Sequence, residues 1–434
     1  MLFVVVPVPD SELALCVPSP YNRIMKMEPV VSLRSSSCLC VFVLCSFLSL
    51  NCNPAKPVLP TKGDAFTDSL YGSTVVRITD KDVDHYSGNG IENEYAKADA
   101  WSWDGQYLIL RGNDGIYYLY DGETFQLIRS LDPLSGGQEL EPRWDATDAG
   151  VFCYLAGPAL MNYNVGTQTT DTIHDFRREF PACAYVTTGV EGDASQDRRY
   201  WCFMLQDSLA SLFAVCVFDR TLGSVVGQKT SFSDAVNFST MDVSGNHAVL
   251  CYDSIPMQSF HIDFSHEVDF VAGATGHSDV ALTSDGRDVM VYQNNATDSI
   301  SMTDLETGVE TPLLPIPFDT NPDIGLHVSG NCYAVPGWVL IATNGALNPP
   351  GGRHSWMDEL TFILELKTSP RVVKLARTRC YTGSSPRENY FAEAFASINA
   401  AGTKVVYGSN WGIFSPADYT DAYQVTLPAN WNHQ

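Results

Sequence analysis

Positive charge is scarce in this sequence. Its 434 residues include 26 Lys and Arg but 50 Asp and Glu, which gives a formal net charge of −24. A strongly acidic chain is repelled by phosphate backbones and by anionic lipid surfaces. We therefore expect no general binding to nucleic acid or to an anionic membrane. The hydrophobic share of 45% argues against a disordered chain.

Several catalytic and metal-binding signatures are also missing. The sequence contains no CxxC pair, so it predicts no structural zinc site of that kind. It has no GxSxG elbow, HExxH motif, Walker A loop or GxGxxG turn in a context that would support the corresponding chemistry. Serine-hydrolase and nucleotide-dependent functions are therefore not expected.

Long hydrophobic runs are absent apart from one near the amino terminus. The apolar run over residues 38–50 follows Lys26 and Arg34. Its length fits a signal-peptide core and is short for a membrane span, which needs about 20 residues. We expect residues 1–60 to be a leader that the mature protein lacks, with Met25 or Met27 as a more natural start. The mature chain is then secreted or periplasmic and has no membrane span.

Seven of the 12 cysteines lie beyond the predicted leader. They are Cys153, Cys183, Cys202, Cys216, Cys251, Cys332 and Cys380. An odd number leaves at least one unpaired unless two chains are joined through it. Several lie inside apolar strand-like segments, which favours buried free thiols.

A polar turn followed by a short β-branched or aromatic run recurs at intervals of about 45 residues. The turns are Asp104-Gly105, Asp148-Ala149, Gln196-Asp197, Ser244-Gly245, Asp285-Gly286, Gly330-Asn331 and Ala401-Gly402. The last interval is longer and indicates an insertion. Helical periodicity is nearly absent, so each repeat is predicted to be one blade of four antiparallel strands.

The two ends of the repeat region complement each other. The chain ends on a third strand at 422–427, and the missing fourth strand is present at 73–79. Pairing of these two strands would close a ring and remove its open edges. The sequence therefore predicts an all-β, seven-bladed propeller over residues 65–430. A row of independent hairpins or two sandwiches is the alternative, but neither explains the complementary ends.

Two repeats show a family resemblance. Residues 277–308 (HSDVALTSDGRDVMVYQNNATDSISMTDLETG) and 394–412 (AFASINAAGTKVVYGSNWG) resemble the TolB-type and oligogalacturonate-lyase-type, WD-repeat-like propeller repeat. The resemblance implies the propeller fold and leaves the function open, because the matching residues are turns and strands. In the oligogalacturonate-lyase family, a metal held by His and Gln near the channel neutralises the substrate carboxylate. This chain has no closely spaced His-x-His or Gln and His cluster.

Propeller geometry indicates which end carries the site. The first strand of each blade lines the central channel, and the Asp-Gly turns lie at one end of it, here named the turn face. The starts of the first strands, the connections between blades and the loops between second and third strands lie at the opposite end. We name this end the channel-mouth face and expect a ligand there.

Two histidines are predicted at equivalent places on the channel-mouth face. His277 and His327 each lie near the start of a first strand, in blades 5 and 6. The alternative is that both are packing or turn histidines.

The loop 344–359 adds Arg353 and His354, beside an aromatic residue that suits sugar stacking. The alternative for that loop is an ordinary solvated surface.

The segment 367–387 contains several basic residues and no acidic one. Such an island attracts an anion locally even in an acidic chain. It supplies Arg379 as a candidate cation and Tyr381 as a candidate base. The alternative is that its cations pair with carboxylates of a neighbouring blade.

A candidate metal site lies between the first strand and the first blade. Asp80, Asp82 and Asp84 alternate as the oxygen ligands of a calcium loop do. The glycine expected after the third Asp is replaced by His85, so an acidic surface turn is the alternative. No cofactor is certain from the sequence, and calcium or another divalent metal is the candidate.

Two functions remain open. The first is a secreted propeller that binds a glycan or a protein on its channel-mouth face without catalysis. The second is a polysaccharide lyase that cleaves a uronate-containing glycan by β-elimination, which needs a cation, a base and an acid. The expected partners are accordingly an anionic polysaccharide or a protein, and whether the protein is an enzyme is left open.

Overall fold

The structure is a computed structural model that describes residues 58–136, 138–321, 324–346, 354–382 and 390–433. The predicted leader, residues 1–60, lies outside the described residues except at its last three positions and stays a prediction. No helix in the described part of the chain is long and apolar enough to cross a membrane. The described chain forms seven antiparallel sheets arranged as a seven-bladed propeller, as predicted.

Strands are numbered in chain order, and the first two belong to the last blade. The outer strands of blade 7 are β1 (Ala65–Thr67) and β2 (Thr74–Arg77). Blade 1 contains β3 (Ile91–Glu92), β4 (Tyr107–Gly112), β5 (Tyr117–Asp121) and β6 (Leu127–Ser130). Blade 2 contains β7 (Arg143–Trp144), β8 (Val151–Ala156), β9 (Ala159–Asn164) and β10 (Thr169–Asp175).

Blades 3 to 5 repeat the same order from the channel outward. Blade 3 contains β11 (Tyr185–Thr187), β12 (Tyr200–Gln206), β13 (Leu212–Asp219) and β14 (Ser224–Lys229). Blade 4 contains β15 (Val236–Met241), β16 (His247–Tyr252), β17 (Gln258–His261) and β18 (Val268–Asp269). Blade 5 contains β19 (Ala274–Leu282), β20 (Asp288–Asn294), β21 (Ser299–Asp304) and β22 (Glu310–Pro315).

The last two blades carry the insertion and the ring closure. Blade 6 contains β23 (Gly325–Ser329), β24 (Trp338–Ala346), β25 (Leu360–Glu365) and β26 (Val372–Arg377). The short strand β27 (Tyr381–Thr382) runs parallel to the end of β24. Blade 7 adds β28 (Ser397–Ile398), β29 (Lys404–Ser409) and β30 (Asp421–Thr426) to β2 and β1.

Ring closure is made by the predicted pair of strands. β2 pairs antiparallel with β30, with Val75 opposite Val425. A buried ion pair reinforces the junction, because Arg77 Nη2 lies 2.8 Å from Asp421 Oδ2. The structure therefore confirms the closure that the complementary ends predicted.

The middle strands of the blades are apolar on both sides because each blade is covered by two neighbours. β12 and β13 are examples, with nearly every residue buried. Hydrophobic clusters fill the gaps between adjacent blades; one of them joins blades 2 and 3 through Phe176, Phe203 and Phe218. This double coverage explains why the strands form continuous apolar runs rather than alternating patterns.

Helices in the described residues are short and lie in connections. They are the α-helices Lys81–Asp84 and Asp132–Ser135 and the 3-10 turns Phe176–Arg178, Tyr390–Ala392 and Trp431–His433.

The seven cysteines beyond the leader are free and buried. Burial raises the pKa of these thiols, to about 11 for Cys153 and about 12 for Cys202. Their thiolate forms are therefore scarce, and structural packing is the role that this burial supports.

Candidate functional site

The Lys97 side chain lies in the central channel of the propeller. It follows β3 in blade 1, yet its Nζ atom lies 2.7 Å from Glu191 Oε2 in blade 3. The same Nζ lies 3.3 Å from the Gly276 carbonyl oxygen in blade 5 and 3.4 Å from the Phe238 ring centroid in blade 4. Blades that are not adjacent meet only at the axis, so Lys97 crosses the channel.

His277 and His327 lie in the same part of the channel. Their ring centroids are 5.1 Å apart. His327 is 2% exposed, and its Nε2 atom lies 3.0 Å from Glu393 Oε2. The Nδ1 atom of each ring is buried and has no hydrogen-bond partner among the described residues. Both rings therefore keep one nitrogen without a partner, unlike a fully satisfied packing histidine.

Aromatic rings surround the His327 side chain. Phe395 and Tyr95 have ring centroids 4.6 Å and 5.4 Å from that of His327. Tyr390 packs on Phe395 at 5.1 Å and is 52% exposed, so it forms part of the rim. We name Tyr95, Lys97, His277, His327 and Phe395 the channel cluster. It combines a cation, two imidazoles and flat apolar surfaces, with the carboxylates of Glu191 and Glu393 bonded to Lys97 and His327.

The environment of His277 keeps its imidazole neutral. Burial, followed by the nearby His327, lowers the pKa of His277 to about 4. Both causes disfavour the charged form, because a buried cation loses hydration and like charges repel. At neutral pH the ring can therefore accept a proton or a hydrogen bond.

We predict that the His277 imidazole titrates near pH 4 in NMR spectra, with the resonance assigned by comparison with His277→Ala. A group whose folded pKa is lowered contributes stability above its unfolded pKa of about 6.5 and loses it as the pH falls through about 4. The urea midpoint should thus fall over that window by more in the wild type than in His277→Ala. Titration of His277 near pH 6.5 would contradict the desolvated environment.

Sequence reasoning missed Lys97 and Glu191, although a signal was present. His277 stands two residues before Asp279 in the first strand of blade 5, and His327 stands two before Ser329 in blade 6. Side chains two residues apart lie on the same face of a strand. The same spacing occurs at 97 and 99 in blade 1 and at 191 and 193 in blade 3. Aligning the blades on the position two residues before Asp279 and Ser329 would have identified both Lys97 and Glu191.

Arg379 and Tyr381 lie in a different place, between blades 6 and 7. The Arg379 guanidinium lies 4.7 Å from the Trp411 ring centroid. Burial and the nearby Glu359 carboxylate raise the pKa of Tyr381, so its hydroxyl stays protonated. His354 is 54% exposed and lies 3.4 Å from Asp358. These contacts place the three side chains around blade 6, and none of them contacts His277, His327 or Lys97 in the interactions described above; their shared site stays a prediction.

Arg353 lies outside the described residues, and the basic segment is partly paired within blade 6. Lys367 and Arg371 both pair with Glu365 in the same blade. Lys374 Nζ lies 4.6 Å from the centroid of the Trp356 ring, which is 41% exposed. Among the described cations of the segment, Lys367 and Arg371 are thus paired, and Lys374 stacks on the exposed Trp356 ring.

Two of the three carboxylates of the predicted calcium loop, Asp80 and Asp84, have other partners. Asp80 caps the helix Lys81–Asp84 by accepting from the Asp82 amide at 3.0 Å, and it lies 2.9 Å from Arg77 Nη1. Asp84 forms a salt bridge with Lys62. Among the described residues, neither group of converging metal-type ligands includes these aspartates. Calcium binding here stays a prediction without a preformed ligand set.

Those two converging groups lie on the turn face, where the sequence analysis predicted no site. One consists of His247, His261 and Glu306, and the other of Asp242, His247 and Asp288. His247, His261, Asp288 and Glu306 border a cleft of about 1070 Å³ that is lined by turns of blades 3, 4 and 5. Residues from four separate turns form these groups, so no short sequence motif predicts them.

Comparisons with known proteins bear on the fold. No family model and no curated protein sequence matches the chain. An oligogalacturonate lyase solved in complex with manganese superposes with a TM-score of 0.58 at 15% identity, over 86% of this chain and 98% of that one. The oligogalacturonate lyase from Vibrio parahaemolyticus gives a TM-score of 0.56 at 16% identity, over 86% and 100%. The predicted resemblance is confirmed at the level of the fold.

Proposed function

We propose that the protein binds a uronate-bearing oligosaccharide at the channel-mouth face. The observation that carries the proposal is the pair of buried Nδ1 atoms on His277 and His327, which have no partner among the described residues. Leaving a buried polar group unpaired costs about 1–3 kcal/mol, and few such groups occur in folded proteins. Hydroxyl or carboxylate oxygens of a ligand would satisfy both atoms once the side chains that cover them move aside.

The remaining side chains of the channel cluster suit a sugar acid. The buried Lys97 Nζ lies 3.3 Å from the Gly276 carbonyl oxygen and pairs with Glu191, so a ligand carboxylate would share this cation with Glu191. The exposed Tyr390 offers a flat face at the rim, and sugar rings pack on such faces. A carboxylate can therefore meet Lys97 and the imidazoles while the ring of the sugar stacks on a tyrosine.

Isothermal titration calorimetry with short uronate oligosaccharides tests the proposal. We expect the wild type to bind them and to bind neutral oligosaccharides of equal length less well. His277→Ala and His327→Ala should each weaken binding at least about tenfold, or about 1.4 kcal/mol. Trp103→Ala is the matched control, because Trp103 is an exposed aromatic residue near the turn face. Equal affinity of wild type and both histidine variants would refute this site.

β-Elimination on the same ligand is the second candidate function, and the neutral His277 imidazole favours it. In this reaction a base removes the proton at C5, the bond from C4 to the glycosidic oxygen breaks, and the electron pair forms a C4–C5 double bond. His277 would take the proton, Lys97 would stabilise the charge that develops on the carboxylate, and water would protonate the departing glycosidic oxygen. The unsaturated product absorbs ultraviolet light, so absorbance during incubation separates a lyase from a binding protein.

The structural neighbour with manganese raises the question of a metal in this channel. The channel cluster offers two imidazoles, but the described residues provide no third ligand that converges with them. Glu393 is already bonded to His327 Nε2. The described part of the channel therefore does not fit a three-ligand metal site, and the proposed chemistry relies on the side chains alone.

A further inference from the structure

Three histidines and a glutamate meet on the turn face between blades 4 and 5. His247 begins β16, His261 ends β17, and His266 lies in the loop after it. Glu306 belongs to blade 5, in the loop between β21 and β22. We name these four residues the histidine cluster. Its position at the opposite end of the propeller separates it from the channel cluster.

The imidazoles converge on one carboxylate. His247 Nε2 and His261 Nε2 lie 2.9 Å and 3.1 Å from the same oxygen, Glu306 Oε2. The three ligand atoms lie within 4.8 Å of one another. In a tetrahedral zinc site with bonds of about 2.0–2.1 Å, ligand atoms are about 3.3 Å apart. Small side-chain movements would therefore admit an ion among these three atoms.

Asp242 orients the first of these ligands. It is fully buried, and its Oδ2 atom lies 2.7 Å from His247 Nδ1. Burial alone would lower the pKa of His247, but its hydrogen bonds to Asp242 and Glu306 raise it to about 9, so the metal-free ring holds a proton on both nitrogens near neutral pH. A metal at Nε2 would displace the proton there, and Asp242 would keep the hydrogen on Nδ1. Metal-binding histidines usually have such a carboxylate or carbonyl at their second nitrogen. The buried Asp242 would therefore serve as the orienting partner of a metal bound on the Nε2 side of His247.

His266 has a different task in the cluster. Its Nε2 atom lies 2.9 Å from the backbone carbonyl oxygen of Glu306 and donates to it. Its ring also stacks on His261, with centroids 4.7 Å apart. Both contacts hold the loop of Glu306 against blade 4. His266 thus positions the carboxylate rather than completing the ligand set.

We infer that the histidine cluster is a binding site for a divalent transition metal, with zinc as the expected ion. His247 Nε2, His261 Nε2 and the Glu306 carboxylate would be its ligands, in the two-histidine, one-carboxylate set that zinc accepts. Three protein ligands leave a fourth position open to the cleft of about 1070 Å³, since His261 and Glu306 are 42% and 55% exposed. The ion would join blade 4 to blade 5.

Zinc binding to the untagged full chain, freed of metal with a chelator, tests the inference. Calorimetry with Zn²⁺ alone should show one equivalent per chain, and Co²⁺ should give the visible spectrum of a four-coordinate ion. His261→Ala and Glu306→Gln should each abolish that equivalent. Asp242→Asn should keep the stoichiometry and weaken affinity roughly 10–100-fold, as loss of an orienting partner does.

The control variant is His85→Asn. His85 is an exposed histidine outside the cluster, at a backbone position with φ of 57° that Asn adopts readily. Its zinc binding should equal that of the wild type. Unfolding curves without metal would verify that all variants fold. A wild type that binds no zinc equivalent, or a His261→Ala variant that keeps it, would overturn the inference.

Discussion

Replacement of Asp421 by Ala should lower the free energy of unfolding by about 3 kcal/mol. Asp421 is fully buried at the ring closure and accepts from Arg77 Nε at 3.0 Å and from Thr79 Oγ1 at 3.1 Å. Its loss leaves the Arg77 guanidinium buried with one carboxylate fewer, and breaking a buried pair costs about 3–5 kcal/mol. We expect a loss at the lower end of this range because Asp80 still pairs with Arg77 in the variant. Urea denaturation measures the change.

The matched control for this prediction is Arg177→Ala. Arg177 also pairs with an aspartate, Asp175, but its side chain is 60% exposed. Exposed pairs contribute little, because water and salt screen them. The control should unfold at nearly the wild-type urea concentration. If both variants lose the same stability, the ion pair at the closure has no special role in holding the ring together.

Phe218→Ala should destabilise the protein by about 3–5 kcal/mol. Phe218 is fully buried in β13, and its ring centroid lies 4.6 Å from that of His174 and 5.5 Å from that of Phe176 in blade 2. Truncation removes an aromatic surface and leaves a cavity that two rigid sheets cannot fill. The change should appear in the urea midpoint.

Phe213→Ala supplies the comparison on the same strand. Phe213 is only partly buried at the start of β13, where it packs on Phe180 at 6.3 Å. Water can occupy much of the space that its ring leaves, so the loss of stability should be clearly smaller. Equal losses at 213 and 218 would show that the gap between blades 2 and 3 adapts to truncation and does not behave as a close-packed core.

The propeller could be predicted because its signals are local and repeated. Turns such as Asp104-Gly105 and Asp285-Gly286 recur at a regular interval, and both glycines have the positive φ that these turns need. The complementary strands at 74–77 and 421–426 then fixed how the ring closes. Neither inference required knowledge of which blades touch across the channel.

The candidate site was only partly predictable. The equivalent positions of His277 and His327 in neighbouring blades indicated that they lie close together, and their rings are 5.1 Å apart. Lys97 and Glu191 come from blades 1 and 3 and meet because the channel is narrow. The width of the channel depends on the number and tilt of the blades, which no single repeat encodes.

Sequence alone thus determined the repeat, its register and the closure of the ring, because strands and turns depend on neighbouring residues. Only the tertiary structure decided which polar side chains share a site. It paired Asp84 with Lys62 and Lys367 with Glu365, and it gathered His247, His261 and Glu306 around one point. The chemistry of a carboxylate or an imidazole depends on such partners, and these come from distant turns that meet only when the blades are packed into a ring.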